Sequence, residues 1–432
     1  MQLQKSRMRS HADYWIYLLA LACIFGSFYF RPISLIGLLI GTVYIAKHDT
    51  MSSMCLLFFL LPFAQVFKIS PSSTSLFTIL ELTLVMKTLI NNYVVSKKYF
   101  VLTFGYTGYV LIGSIISGNI DILGIVKLLM NLSLLYMFID QYTPSCLDSI
   151  VSSFSIGLLA SSVVGFFKTA IPGLLVLFKD LNSQYINGMR VTRFSATFSD
   201  PNYYSIAVIV ALGLLICATA NSGFKVKYVV FSILIGSVGF FTYSKSYLLM
   251  LVLLIFVAFL LLIGNKKIGL TTVAIIGVAV ILASGVLSRI QVIQSLLSRF
   301  SSASTVNSLT TGRSDIWASY MMYINSNNRV FLFGDGLGAP YIIGAAHNMY
   351  VETWYHVGIV GLILYLLVLF GILNHRQIIT RKRFINYYLL VAVFTMYAFL
   401  NGLTAFEFAF YMMSCWIVNN SVLVGDKKHN EL

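Results

Sequence analysis

The chain has 432 residues, 58% of them hydrophobic and only 10% charged, with a mean hydropathy of +0.86. A soluble domain carries about a quarter charged residues and roughly 45–50% apolar ones. A soluble enzyme, a DNA-binding module and a disordered tail are therefore excluded. The formal charge of +15, from 29 Lys and Arg against 14 Asp and Glu, speaks first about membrane topology.

In chain order, the N-terminal apolar run that follows Lys5, Arg7 and Arg9 looks like a signal peptide. Many more such runs follow, so it reads as an uncleaved first transmembrane helix. A crossing of about 30 Å needs roughly 20 helical residues. The expected spans are Tyr14–Phe30, Pro32–Ala46, Met51–Phe67, Leu76–Val95, Tyr99–Ser117, Ile120–Ile139 and Ile150–Phe167. After a loop at Lys168–Pro201 come Tyr203–Ala218, Tyr228–Tyr243, Tyr247–Ile263 and Ile268–Leu287. A larger loop, Ser288–His347, leads to Asn348–Leu373, Ile385–Leu400 and Phe406–Leu423. The fold class is an all-α polytopic membrane protein of about fourteen helices in a single transmembrane domain, residues 1–432. Ile290, Ile293, Leu297 and Phe300 recur at spacings of three and four, the stripe of a helix lying in the membrane surface, and Gly173–Leu181 reads the same way.

Lysine and arginine set the orientation. With the N-terminus inside, sixteen of them fall in cytoplasmic segments, against Arg31, Lys68 and Lys245 in the short outer loops. Both termini are thus expected in the cytoplasm and both long loops outside. The five cysteines, Cys23, Cys55, Cys146, Cys217 and Cys415, show no paired spacing, so neither a disulfide framework nor a zinc site is expected.

By this topology only His347 and His356 face outward. His347 ends a glycine-rich stretch and precedes a helix; Glu352, four before His356, is placed to brace it as an i,i+4 pair. The outer cations Arg190, Arg193, Lys245, Arg313 and Arg329 suit either lipid headgroups or a diphosphate, which guanidinium groups grip bidentately. Glu81, Lys87 and Lys127 lie inside apolar runs, where charge is expensive, and are expected to pair with one another. The outer acids are scattered, no metal is called for, and nothing supports nucleotide chemistry.

Four outer segments resemble motifs of the O-antigen ligase/polymerase superfamily of bacterial membrane glycosyltransferases. They are Arg193–Asn202 with its Asp200-Pro201-Asn202, Tyr243-Ser244-Lys245-Ser246, Gly312-Arg313 with Trp317, and Gly334–Gly338 running to His347–Glu352, Gly358 and Gly361. The resemblance covers roughly residues 190–375; Ala196 stands where the pattern has glycine and Lys245 where it has arginine.

What the resemblance implies is a GT-C-like, metal-independent, cofactor-free inverting enzyme of the bacterial inner membrane, with its two long loops periplasmic. Its donor would be an oligosaccharide on undecaprenyl diphosphate. Its acceptor would be another lipid-linked repeat unit in a polymerase, or lipid A–core in a ligase. His347 would be the base, with Arg313 and Arg193 on the diphosphate; Lys245, Arg190, Asn202, Asn348 and Glu352 would bind substrate. Membrane lipid and a chain-length regulator are the implied partners, and nucleic acid is not. A lipid-linked oligosaccharide flippase is the reading from another class; transporters commonly carry inverted repeats, and none is visible here.

Overall fold

The computed structural model describes residues 12–70, 74–91, 97–168, 170–171, 183–186, 189–223, 225–264, 310, 312–374 and 384–421. The helices are α1 Ala12–Tyr29, α2 Ile33–Lys47, α3 Thr50–Leu60 with a 3-10 turn Leu61–Phe67, α4 Phe77–Ile90, α5 Lys97–Ser117, α6 Ile122–Gln141 and α7 Leu147–Phe166. They continue as α8 Pro201–Ser222, α9 Val226–Phe240, α10 Lys245–Gly264, α11 Arg313–Ser326, α12 Asn328–Phe333, α13 Met349–Leu373, α14 Tyr388–Tyr397 and α15 Phe406–Asn419. The expected span Ile268–Leu287 and both expected interfacial stretches lie outside the described residues. Within the loop expected at 168–201 there is a departure from an all-helical chain. Ser183–Ile186 (β1) pairs antiparallel with Met189–Thr192 (β2).

Among the described residues, six segments are long and apolar enough to cross a membrane: Thr50–Phe67, Tyr99–Ser117, Ile122–Gln141, Pro144–Phe166, Pro201–Ser222 and Met349–Leu373. Shorter apolar helices, α9 and α14 among them, accompany these. Trp15, Phe100, Ile112, Ile116, Val252, Ile255 and Leu367 all turn outward, an apolar surface that water would not tolerate on this scale. The architecture is that of a helical membrane protein.

At the centre, α8 packs against α7, α9, α10, α14 and α15, and α15 also packs on α6. From Glu407 to Asn419 every residue of α15 is buried. A helix apolar on all sides belongs inside a bundle, and α15 is therefore a core element. Local chemistry fixes the helix starts. Asp200 caps α8, accepting from Asn202 N at 2.6 Å, with Pro201 at the first helical position. Asn348 caps α13 through bonds from Tyr350 N (3.0 Å) and Val351 N (3.2 Å).

The helix α13 breaks at Gly358, whose φ is 72°. A break strands the carbonyls of the preceding turn, which a membrane interior does not forgive. Here each of three finds a new donor. Asp335 N bonds Tyr355 O at 2.8 Å and Gly336 N bonds His356 O at 3.0 Å. The Tyr109 hydroxyl, from α5, bonds Val357 O at 2.9 Å. The approach is backbone to backbone, since a Cβ on Gly334 would stand 2.3 Å from His356 O and one on Gly358 2.2 Å from Leu332 O. The run of glycines at 334–338 is thus a clasp for a broken helix.

Candidate functional site

The loops expected to be outer meet at one end of the bundle. Arg31 donates to Lys68 O, Thr197 to Pro62 O, and Asn119 Nδ2 to Asp335 O at 2.8 Å. At the opposite end, Asp148 pairs with Lys225 (3.3 Å) and Lys227 (2.7 Å), and Asn386 donates to Asn419 O at 3.4 Å. Between the loops of the first end lies a cavity of about 800 Å³. Gln65, Lys68 and Thr78 line one part, Asp121 and Lys127 another, and Ser199, Tyr203, Tyr341, Glu352, His356, Asn401 and Glu407 complete it.

Beside this cavity stands a cluster of charges. Arg193, 8% exposed, donates from Nε to Thr242 O (2.8 Å) and from an η nitrogen to Asn202 Oδ1 (3.0 Å). The Ser244 hydroxyl donates to the same Asn202 oxygen at 3.1 Å. Arg193 and Asn202 thereby tie the start of α8 to the turn before α10, the turn from which Lys245 departs. The left-handed bend this path requires is made without glycine, because Ala196 adopts φ 48°. The replacement of glycine there leaves the bend in place.

Arg313 opens α11 and donates to Phe399 O at 2.6 Å. Trp317, one turn on, donates from Nε1 to Ala346 O at 2.9 Å, holding the residue before His347. His347 precedes the Asn348 cap and sits in the left-handed region at φ 48°, half-buried. Burial and then the Arg313 charge push its pKa below the ordinary histidine value, while Asp200 pulls the other way. Arg313 is itself lowered by burial, with Asp200 and Tyr203 opposing. Arginine stays charged regardless. The cluster adjoins the cavity through two shared turns. Ser199 and Tyr203 flank Asp200, and Tyr203 donates to Asn401 O at 2.8 Å, two residues beyond the Arg313 acceptor.

Arg313, His347 and Asp200 are thus coupled through electrostatic reach, whereas Arg193 is hydrogen-bonded to Asn202. Arg190 stands on β2 opposite Tyr185. Asn348 serves as a helix cap. Glu352 lines the cavity beside Gly402, within reach of its backbone.

Several expectations are corrected. The bracing pair of Glu352 and His356 is replaced, because the clasp places Gly336 O 2.9 Å from His356 Nδ1. Arg329 is a fastener, bonded to Asp335 at 2.6 Å. Glu81, Lys87 and Lys127 do not form one group. Lys87 Nζ donates to Ile45 O at 2.6 Å, one and a half turns beyond Glu81 on α4 and on a different face. Lys127 opens on the cavity and stays within electrostatic reach of Glu81.

Two cavity residues, Glu407 and Tyr203, carried no earlier assignment; an acid at the very start of an apolar segment was the available signal for the first. Among the described residues no three or more His, Cys, Asp and Glu side chains stand together as a metal site. Comparison of this chain with protein-family models, with curated proteins and with solved structures finds no match.

Proposed function

We propose that the chain is a polymerase of a surface polysaccharide, joining oligosaccharide repeat units carried on undecaprenyl diphosphate at the outer face of a bacterial inner membrane. The observation that carries this reading is a large polar cavity at one end of an apolar bundle, adjoining the turns from which Arg313, His347 and Asp200 act on one another electrostatically. The bundle suits a substrate whose lipid stays in the membrane, and the cavity suits its sugars.

A lipid diphosphate is a good leaving group and needs neutralised charge more than a strong acid. Arg313 supplies a fixed cation, with Lys245 and the buried Arg193 close to the same turns. A histidine held below its ordinary pKa is neutral at neutral pH and free to accept a proton. In the step, His347 takes the proton of the acceptor hydroxyl as that oxygen bonds the anomeric carbon. The bond from that carbon to the phosphate oxygen breaks, and undecaprenyl diphosphate departs with the electron pair. In-line attack inverts the linkage.

The test is reconstitution. Purified protein in lipid, given lipid-linked repeat units alone, should produce a ladder of glycans growing on the lipid carrier. A single glycan transfer that requires lipid A–core, with no ladder, would replace polymerase by ligase. Movement of the lipid-linked glycan across the bilayer with no new bond would replace both by a flippase.

A further inference from the structure

The cavity has a second charged wall that the transfer step does not use. Lys68 leaves the 3-10 turn after α3, Lys127 stands in the second turn of α6, and Glu407 opens α15; all three line the cavity. An ammonium inside an apolar helix is expensive and normally faces a polar cavity or a partner. Glu407 lies within electrostatic reach of both lysines, and the lysines are close enough to repel each other. Burial lowers the Lys68 pKa, and Glu407 opposes that.

Three other acids lie near this wall. Asp121 caps α6, accepting from Gly124 N at 3.0 Å. Glu352 lies beside Gly402 and in reach of Tyr203 and Tyr341, and Tyr203 is also in reach of Glu407. Glu81 is enclosed behind the wall and does not line it. The wall thus presents two cations, Lys68 and Lys127, with the Glu407 carboxylate beside them and the capping carboxylate of Asp121 at its edge.

We propose that the Lys68–Lys127 wall is a subsite for a carboxylate-bearing sugar of the uronic-acid type. The two ammonium groups receive the carboxylate, and Glu407 accepts from a hydroxyl of the same ring. The inference rests on reading the cavity as a glycan site, and it adds the class of sugar.

Binding measured without turnover tests it. The probes are a trisaccharide containing glucuronic acid and its carboxyl-reduced counterpart, titrated calorimetrically into the full chain in lipid nanodiscs. Wild type should bind the acidic sugar at least about tenfold tighter, the scale of one charge-assisted hydrogen bond. Lys127→Gln should lose that preference and Lys127→Arg should keep part of it. Lys68→Gln is the independent check if the first variant does not elute as a monodisperse species. Equal binding of the two sugars by wild type overturns the subsite. So does an equal loss of both in Lys127→Gln. Inorganic pyrophosphate that displaces the acidic sugar from wild type, and itself binds more weakly to Lys127→Gln, assigns the wall to the diphosphate and also overturns it. Absence of charge preference alongside a growing ladder on a neutral repeat leaves the polymerase reading standing. Charge-selective binding with no ladder does the reverse.

Discussion

His347 combines a strained backbone with a shifted side chain, and both shape how it should be tested. At φ 48° asparagine is among the residues that tolerate the left-handed region, so His347→Asn removes the imidazole with little change in backbone preference. A positioned base contributes about 10²–10⁴-fold to rate, and the ladder assay on this variant should show a loss in that range. A variant retaining more than about a tenth of the wild-type rate is incompatible with a base at this position. The pH profile gives an independent reading. A base works only when unprotonated, so the rate should fall as pH drops through the lowered pKa of His347, below the ordinary histidine range. Asp200 pulls that pKa up, and Asp200→Asn removes its charge while keeping a helix cap. Its acidic limb should therefore move to still lower pH. A limb that stays in place or moves upward assigns the titration to another group. Of this cluster, the sequence offers Arg313 and His347 as candidates and marks Asp200-Pro201 as a helix start; that the Asp200 charge acts on His347 depends on packing between distant segments that spacing does not encode.

Among the elements, α13 shows what apolar patterning reveals and what it hides. Its length and hydropathy mark Met349–Leu373 as one helix, and the structure breaks it at Gly358. A glycine in such a run reads equally as a packing surface. What decides between the two is the arrival of Asp335, Gly336 and Tyr109 donors from elsewhere in the chain. Tyr109→Phe leaves the Val357 carbonyl without its hydroxyl donor and should lower stability by about 1–3 kcal/mol, the cost of an unsatisfied buried polar group. Gly358→Ala sets a Cβ 2.2 Å from Leu332 O at a positive φ and should be worse. Thermal unfolding in detergent, followed by tryptophan fluorescence, ranks the two. If Gly358→Ala is as stable as wild type, the clasp does not hold the break.

At the scale of the whole molecule, the distribution of lysine and arginine gives an expected orientation, and the fold gathers the loops at one end. Among the described residues, the apolar helices fall where the apolar runs place them, whereas α11 and α12 lie in the stretch expected to be a loop. The cavity was not legible in this way. Lys68, Lys127 and Glu407 come from three distant segments, and only their packing shows that they share a wall. The topology makes a prediction for intact cells carrying single cysteines in a cysteine-free background. Ser326→Cys, at the site end, should react with a membrane-impermeant thiol reagent added from outside; Ser222→Cys, at the far end of α8, should not. Labelling at 222 with silence at 326 would invert the molecule. The clasp on α13 bears finally on the order of assembly. An unbroken α13 satisfies its own carbonyls and can enter the bilayer alone, whereas the broken form needs α5 and the glycine run already in place. Glu352 and His356 ride on the segment that bends, so they reach their cavity positions only when a late part of the chain closes on an early one, 248 residues before it. Closure of this clasp is therefore coupled to completion of the cavity, and a chain inserted without it would lack that part of the cavity wall.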